Sequence, residues 1–154
     1  MALSVLQDPF GVDWPLGFVS VANNGTPVNI MHNVDANNVN APGTAANGTN
    51  AEYTLTCHKV LIQGYKPAAN NNGMIPNSGY VYIMRSLGPG NSNGGGPANR
   101  TDAGAMVRIL PPGGEVVLPA DEVDLATISP YRYTLDCDTD GDGGLVTLLG
   151  CARG

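Results

Sequence analysis

Glycine and proline fill about a fifth of this chain, 21 and 12 of its 154 residues, and that punctuation leaves no room for long helices. Proline removes an N–H donor that a helix interior needs, and glycine weakens a helix through its backbone freedom. The stretches between the breaks are short and of strand type, with almost nothing at helical period. Residues 17–22 (GFVSVA) alternate, and Asn23-Asn24-Gly25-Thr26 supplies an Asn-Gly turn that predicts a hairpin back into 27–31 (PVNIM). Residues 52–65 alternate through Tyr53, Leu55 and Cys57, then change phase to Val60 and Ile62, which predicts a bulge near His58-Lys59. Residues 80–84 (YVYIM) are apolar on both faces and predict a central strand. Residues 105–110 and 115–118 read as a hairpin around Pro111-Pro112-Gly113-Gly114, and 131–137 with 145–151 as a last hairpin centred near Asp140-Gly141. Between them, 119–130 reads as a connection with one helical turn facing Leu125 and Ile128 inward.

About eight short strands with turn signals between them predict an all-β domain, an antiparallel β-sandwich or jelly roll, with a closed barrel as the other arrangement. The length fits one domain, divided into an extended N-terminal arm over 1–16 and a single β-sandwich over 17–154. Two polar loops, 33–50 and 87–103, are unusually long for a compact domain and almost uncharged, which marks them as contact loops. All sixteen Asn lie at or before Asn99, while seven of the thirteen acids fall between Asp121 and Asp142. One part of the molecule is therefore neutral and polar, the other acidic.

Charged residues make up only 13% of the chain against 42% hydrophobic, so the surface is built from Asn, Thr, Ser, Gly and backbone. Such a surface is less costly to desolvate than one studded with Lys and Glu, and it suits subunit contacts. The net charge of −6, with seven scattered basic residues and none before Lys59, argues against nucleic acid as a partner. No apolar run is long enough to cross a bilayer, so no membrane partner is expected. The first fifteen residues lack a basic region and an unbroken apolar stretch, so synthesis without a secretory signal is expected. Three cysteines fit buried free thiols in a reducing compartment. In the expected last hairpin Cys137 and Cys151 would not face each other, which argues against a disulfide between them.

The only Trp and both Phe of the chain, Phe10, Trp14 and Phe18, cluster in and beside the arm with Leu16, interrupted by Pro9, Gly11 and Pro15. That spacing predicts an extended segment with aromatic anchors, either docked on a neighbouring subunit or plugging one end of the sandwich.

Catalytic machinery is not visible, and no enzymatic role is expected. There is no G-x-S-x-G, CxxC or HxxxH, and His32 and His58 have no partner at metal or nucleophile spacing. The Gly94-Gly95-Gly96 run lacks the Lys-Ser/Thr of a phosphate loop, so no cofactor is expected. One constellation stands out: Asp136, Asp138, Asp140 and Asp142 alternate around Gly141, as in the opening of a calcium loop. The twelfth position is Thr147, where an EF-hand needs a bidentate Glu, and the plainer reading is an acidic turn whose carboxylates cap turn amides.

Several of these motifs occur in an order found elsewhere. Gly79-Tyr80-Val81-Tyr82-Ile83 is followed by Leu110-Pro111-Pro112-Gly113-Gly114-Glu115, and then by Asp136-Cys137-Asp138-Thr139-Asp140-Gly141-Asp142 before the last strand. Over about residues 79–150 this resembles small β-sandwich virion proteins of tailed bacteriophages. The doubled Pro111-Pro112 and the inserted loop 87–103 depart from that pattern. The resemblance implies a capsid decoration or cement protein that binds and stabilises the shell as a homo-oligomer, often a trimer. Its partners would be itself and the major capsid protein, and its place the virion. Other readings are a tail or fibre component binding host glycans and a Ca-dependent carbohydrate-binding module.

Overall fold

The computed structural model describes residues 12–31, 55–85, 99–119, 128 and 130–153. The expected all-β fold is what the chain adopts. Eleven strands are described: β1 (Val12–Ser20), β2 (Val28–Asn29), β3 (Leu55–Thr56), β4 (Lys59–Gln63), β5 (Tyr65–Pro67), β6 (Met74–Pro76), β7 (Val81–Arg85), β8 (Met106–Leu110), β9 (Glu115–Leu118), β10 (Tyr133–Cys137) and β11 (Gly143–Arg153). One five-stranded sheet runs β1-β11-β4-β9, with β3 beside the far end of β11. A four-stranded sheet runs β2-β10-β7-β8, and β5 with β6 forms a separate hairpin. β7 is central in its sheet, as its two apolar faces predict.

The core lies between the two sheets. Val60 and Ile62 of β4, Val146 and Leu148 of β11 and Leu118 of β9 meet Val81, Ile83, Tyr133, Leu135 and Cys137 from the other sheet. These positions alternate along each strand, so one face of every strand turns inward at period two. Ile128, from the connection before β10, packs against the same cluster and pairs through its backbone with Cys57. Leu125 and the expected helical turn around it lie outside the described residues; a short 3-10 turn follows at Pro130–Arg132.

All three sequence-predicted hairpins are instead arches between the sheets. β1 pairs with β11 while β2 pairs with β10; β8 pairs with β7 while β9 pairs with β4; β10 pairs with β7 and β2 while β11 pairs with β1, β3 and β4. The turn residues do reverse the chain. The returning strand, however, crosses the roughly 10 Å between sheets instead of the roughly 5 Å between neighbours in one sheet. Cys137 and Cys151 accordingly stand in different sheets, and all three cysteines are free thiols.

Two further expectations are corrected. Residues 12–16 do not form a free arm: they begin β1, an edge strand on β11 that absorbs Pro15 and Gly17 through two register shifts. An edge strand tolerates a missing donor on its outer side, which a central strand does not. At His58 the chain bends, but the pairing with β11 keeps one register on both sides, Leu149 with Lys59 and Ala152 with Thr56. The change of phase comes from a joint kink opposite Gly150 (φ +65), without an added residue.

Gly143 and Gly144 open β11 because no side chain fits there. A Cβ on Gly143 would collide with the Val19 carbonyl and the Phe18 ring, and one on Gly144 would meet Leu135 Cδ1 at 2.8 Å. Gly143→Ala is expected to cost about 3 kcal/mol or more, read from the denaturant midpoint. An unchanged midpoint would show that β1 does not lie against Gly143.

Candidate functional site

All three arches, the β5–β6 hairpin and the lead into β7 gather at one end of the sandwich, where β11 begins. Two buried carboxylates hold that end together. Asp142 is fully buried: Oδ1 accepts Lys66 Nζ at 2.7 Å, and Oδ2 accepts the Ser78 and Gly79 amides at 2.9 and 2.8 Å. Lys66 Nζ also donates to Ser78 Oγ at 2.6 Å. Beside it, the buried Asn77 side chain donates to the Gly143 carbonyl at 2.6 Å, so a side chain supplies what a neighbouring strand would. Asp136 is buried on the outer face of the four-stranded sheet, and its Oδ1 accepts the Gly25 and Cys137 amides at 3.0 and 2.8 Å.

Arg100 is the cation that matches Asp136. Its Nε stands beside Asp136 Oδ2, Nη1 reaches Asp138 at 3.2 Å, and Nη2 donates to the Cys137 carbonyl and, at 3.2 Å, to Asn24 Oδ1. The guanidinium also lies 4.0 Å over the Tyr82 ring. A planar fork with five donors suits this position, because it serves two carboxylates, two amide oxygens and an aromatic face at once. A hydrogen bond to Asp138 holds the Tyr82 hydroxyl above its ordinary pKa. Nothing in the local sequence singles out Arg100. The available signal is balance: an acidic run with two buried members, in a chain with seven basic residues, requires a partner from wherever the fold can bring one.

The four aspartates of the sequence motif thus divide among several partners, with Asp136 and Asp138 sharing Arg100. Asp138 takes Arg100, Asp140 Oδ1 accepts the Asn24 amide at 2.7 Å, and Asp136 and Asp142 serve opposite sides of the arch. Among the described residues no three His, Cys, Asp or Glu come together as a metal-binding group. The arch is held by its own carboxylates, which bond amides and cations of neighbouring segments.

Of the aromatic candidates, Phe10 lies outside the described residues, Trp14 is exposed on β1, and Phe18 is half-buried over Gly143. The loop 33–50 also lies outside them, as does 87–98 of the second loop. One apolar surface is not marked by the sequence. On the outer face of the five-stranded sheet, Leu61 of β4, Leu145, Thr147 and Leu149 of β11 and Val117 of β9 lie side by side, half-buried or exposed, and none belongs to the core. Charged side chains appear on that face at Lys59 and Glu115, with Gln63 bonded to Glu115 at 3.2 Å. Further exposed apolar side chains stand on the hairpin (Met74, Ile75) and on the edge strand β8 (Met106 and Ile109, the latter 51% exposed).

Comparison with protein-family models, with curated proteins and with solved structures found no match.

Two measurements test this end of the molecule. Arg100→Met leaves the Asp136 carboxylate buried without its cation and is expected to cost about 3 kcal/mol or more. Asp136→Asn in the same chain should recover part of that loss, and additive losses would show that the two groups do not act as a pair. Burial, helped by the nearby carboxylates, pushes the Cys137 thiol up to about 12, and burial likewise pushes Cys57 up to about 12. A raised thiol stabilises the fold fully below its ordinary value near 9, and that contribution is lost as pH rises toward 12. Unfolding free energy should therefore be level from pH 7 to 9, then fall by about 1.4 kcal/mol per pH unit for each thiol. A level curve to pH 11 would contradict the burial of both.

Proposed function

We propose that this chain is a structural protein of a bacteriophage virion, a capsid decoration or cement protein that binds the outside of the shell as a homo-oligomer, with a trimer as the expected state. The observation that carries the reading is the five-stranded sheet with apolar side chains on both faces. Its inner face fills the core, and its outer face presents Leu61, Leu145, Leu149 and Val117 with few charges. A contiguous, partly exposed apolar row of this kind favours an interaction site, because leaving it in water forgoes the free energy of burial. The low overall charge adds to this, since little ionic hydration is lost when such a surface is covered. The ordered motifs from Gly79 to Asp142 supply the resemblance to tailed-phage virion proteins.

Light scattering on the purified protein reads the oligomeric state, and co-sedimentation with intact shells reads capsid binding. The reading expects an oligomer that travels with the shells. Leu61→Lys and Val117→Lys should each weaken co-sedimentation about tenfold or more while shifting the melting temperature by only a few degrees, since neither side chain is in the core. A monomer that ignores shells but is retained on a glycan column would replace this reading with the tail or fibre one.

A further inference from the structure

Cys57 and Cys151 are neighbours across two antiparallel strands. β11 keeps one register against β3 and β4, with Arg153 opposite Leu55, Ala152 opposite Thr56 and Leu149 opposite Lys59. Cys151 therefore falls opposite Cys57. The Cys57 N–H and C=O both turn away from β11 to bond Ile128, at 3.0 and 2.7 Å, while the next amide, His58, turns back to the Leu149 carbonyl. In a regular antiparallel pair, a position whose backbone bonds point away from its partner strand is the narrow kind, with Cα atoms about 4.5 Å apart and side chains close. That spacing lies inside the range of about 4.4–6.8 Å that a disulfide spans. The side chains also share a side: Cys57 is in the core cluster and Cys151 packs against it. Burial raises the Cys57 thiol first, and Cys151 raises it further, which places the two sulfurs within electrostatic reach.

We propose that Cys57 and Cys151 are a latent disulfide pair, reduced in the structure described and closed by exchange with a small-molecule disulfide. Cys151 is only half-buried and is the entry point. Its thiolate attacks one sulfur of the external disulfide, forming a mixed disulfide and expelling one thiolate. The Cys57 thiolate then attacks the Cys151 sulfur and expels the second. One S–S bond breaks and one forms, the two cysteines are oxidised, and the external disulfide leaves as two thiols carrying the two protons. The closed bond would join β11 to the start of β4, tying the central strand of the five-stranded sheet at the end away from the arches. Cys137 takes no part: it lies in the other sheet beside the acidic arch, and the nine residues from Asp142 to Cys151 span about 30 Å of strand. This inference stands independently of the virion reading.

The test is to incubate the folded protein with oxidised glutathione near pH 8, denature it, alkylate free thiols without reductant, and measure intact mass and peptides. The expected product has lost two hydrogens, carries one alkyl group on Cys137, and yields a Cys57–Cys151 linked peptide. Its melting temperature should rise by about 5–15 °C and return on reduction, because the bond closes a long loop of chain. Cys137→Ala should still close the bond, and Cys57→Ala and Cys151→Ala should each fail to; the Cys151 variant decides if the buried Cys57 site does not tolerate change. Three alkylated thiols, a lasting glutathione adduct on Cys151 alone, or a link through Cys137 would each overturn the proposal.

Discussion

The Asp142 carboxylate has no access to water, and both of its oxygens are occupied by donors from a different part of the chain. Removing a carboxylate from water costs several kcal/mol, and only well-placed donors offset it. Here the donors are a lysine on the β5–β6 hairpin and two amides leading into β7. Asp142 is also the residue before β11, the strand on which β1, β3 and β4 all pair. The ion therefore links the start of the central strand of one sheet to the entry of the central strand of the other. Everything else at that end follows: Asn77 bonds Gly143, Gly64 accepts from Asn77 and Gly113, and its own amide bonds Gly114.

Arg100 repeats the device on the outer face of the four-stranded sheet. Its head bridges the β1–β2 and β10–β11 arches and lies on Tyr82, while Ala105, at the end of the same turn, packs with Met84 in a second small cluster. These contacts cover only part of that outer face, since Met106 and Ile109 of β8 remain exposed. On the five-stranded sheet the outer row of Leu61, Leu145, Leu149 and Val117 is half-buried or exposed and lies outside the core. The polar arch end holds the two sheets in place.

Strand character was legible in the sequence because period-two alternation is a local property. Val60 and Ile62, or Val146 and Leu148, declare their inward face within a few residues. Turn positions were legible for the same reason: Asn24-Gly25, Pro112-Gly113 and Gly141 reverse the chain, with all three glycines at positive φ. The β1 edge was misread because Pro15 and Gly17 forbid a regular central strand but are tolerated at an edge, and edge position is not a local property.

Partner choice across each turn was decided only by tertiary structure. A reversal followed by an alternating strand satisfies the sequence equally well as a hairpin or as an arch, since both present an apolar face to the same core. The arch wins three times here, with buried Asp136 and Asp142 fixing the β10–β11 crossing on both sides. The same limit applies to the functional features. The acidic run from Asp136 to Asp142 announced itself by composition, yet its partners Arg100, Lys66 and Asn24 come from three distant segments. Likewise, that Cys151 faces Cys57 and not Cys137 is a matter of strand register, which residues ninety-four apart acquire only when β11 pairs with β3 and β4. The sequence by itself determined which residues turn inward and where the chain reverses; the fold determined which of them meet, because contact between distant segments depends on long-range pairing that no local pattern encodes.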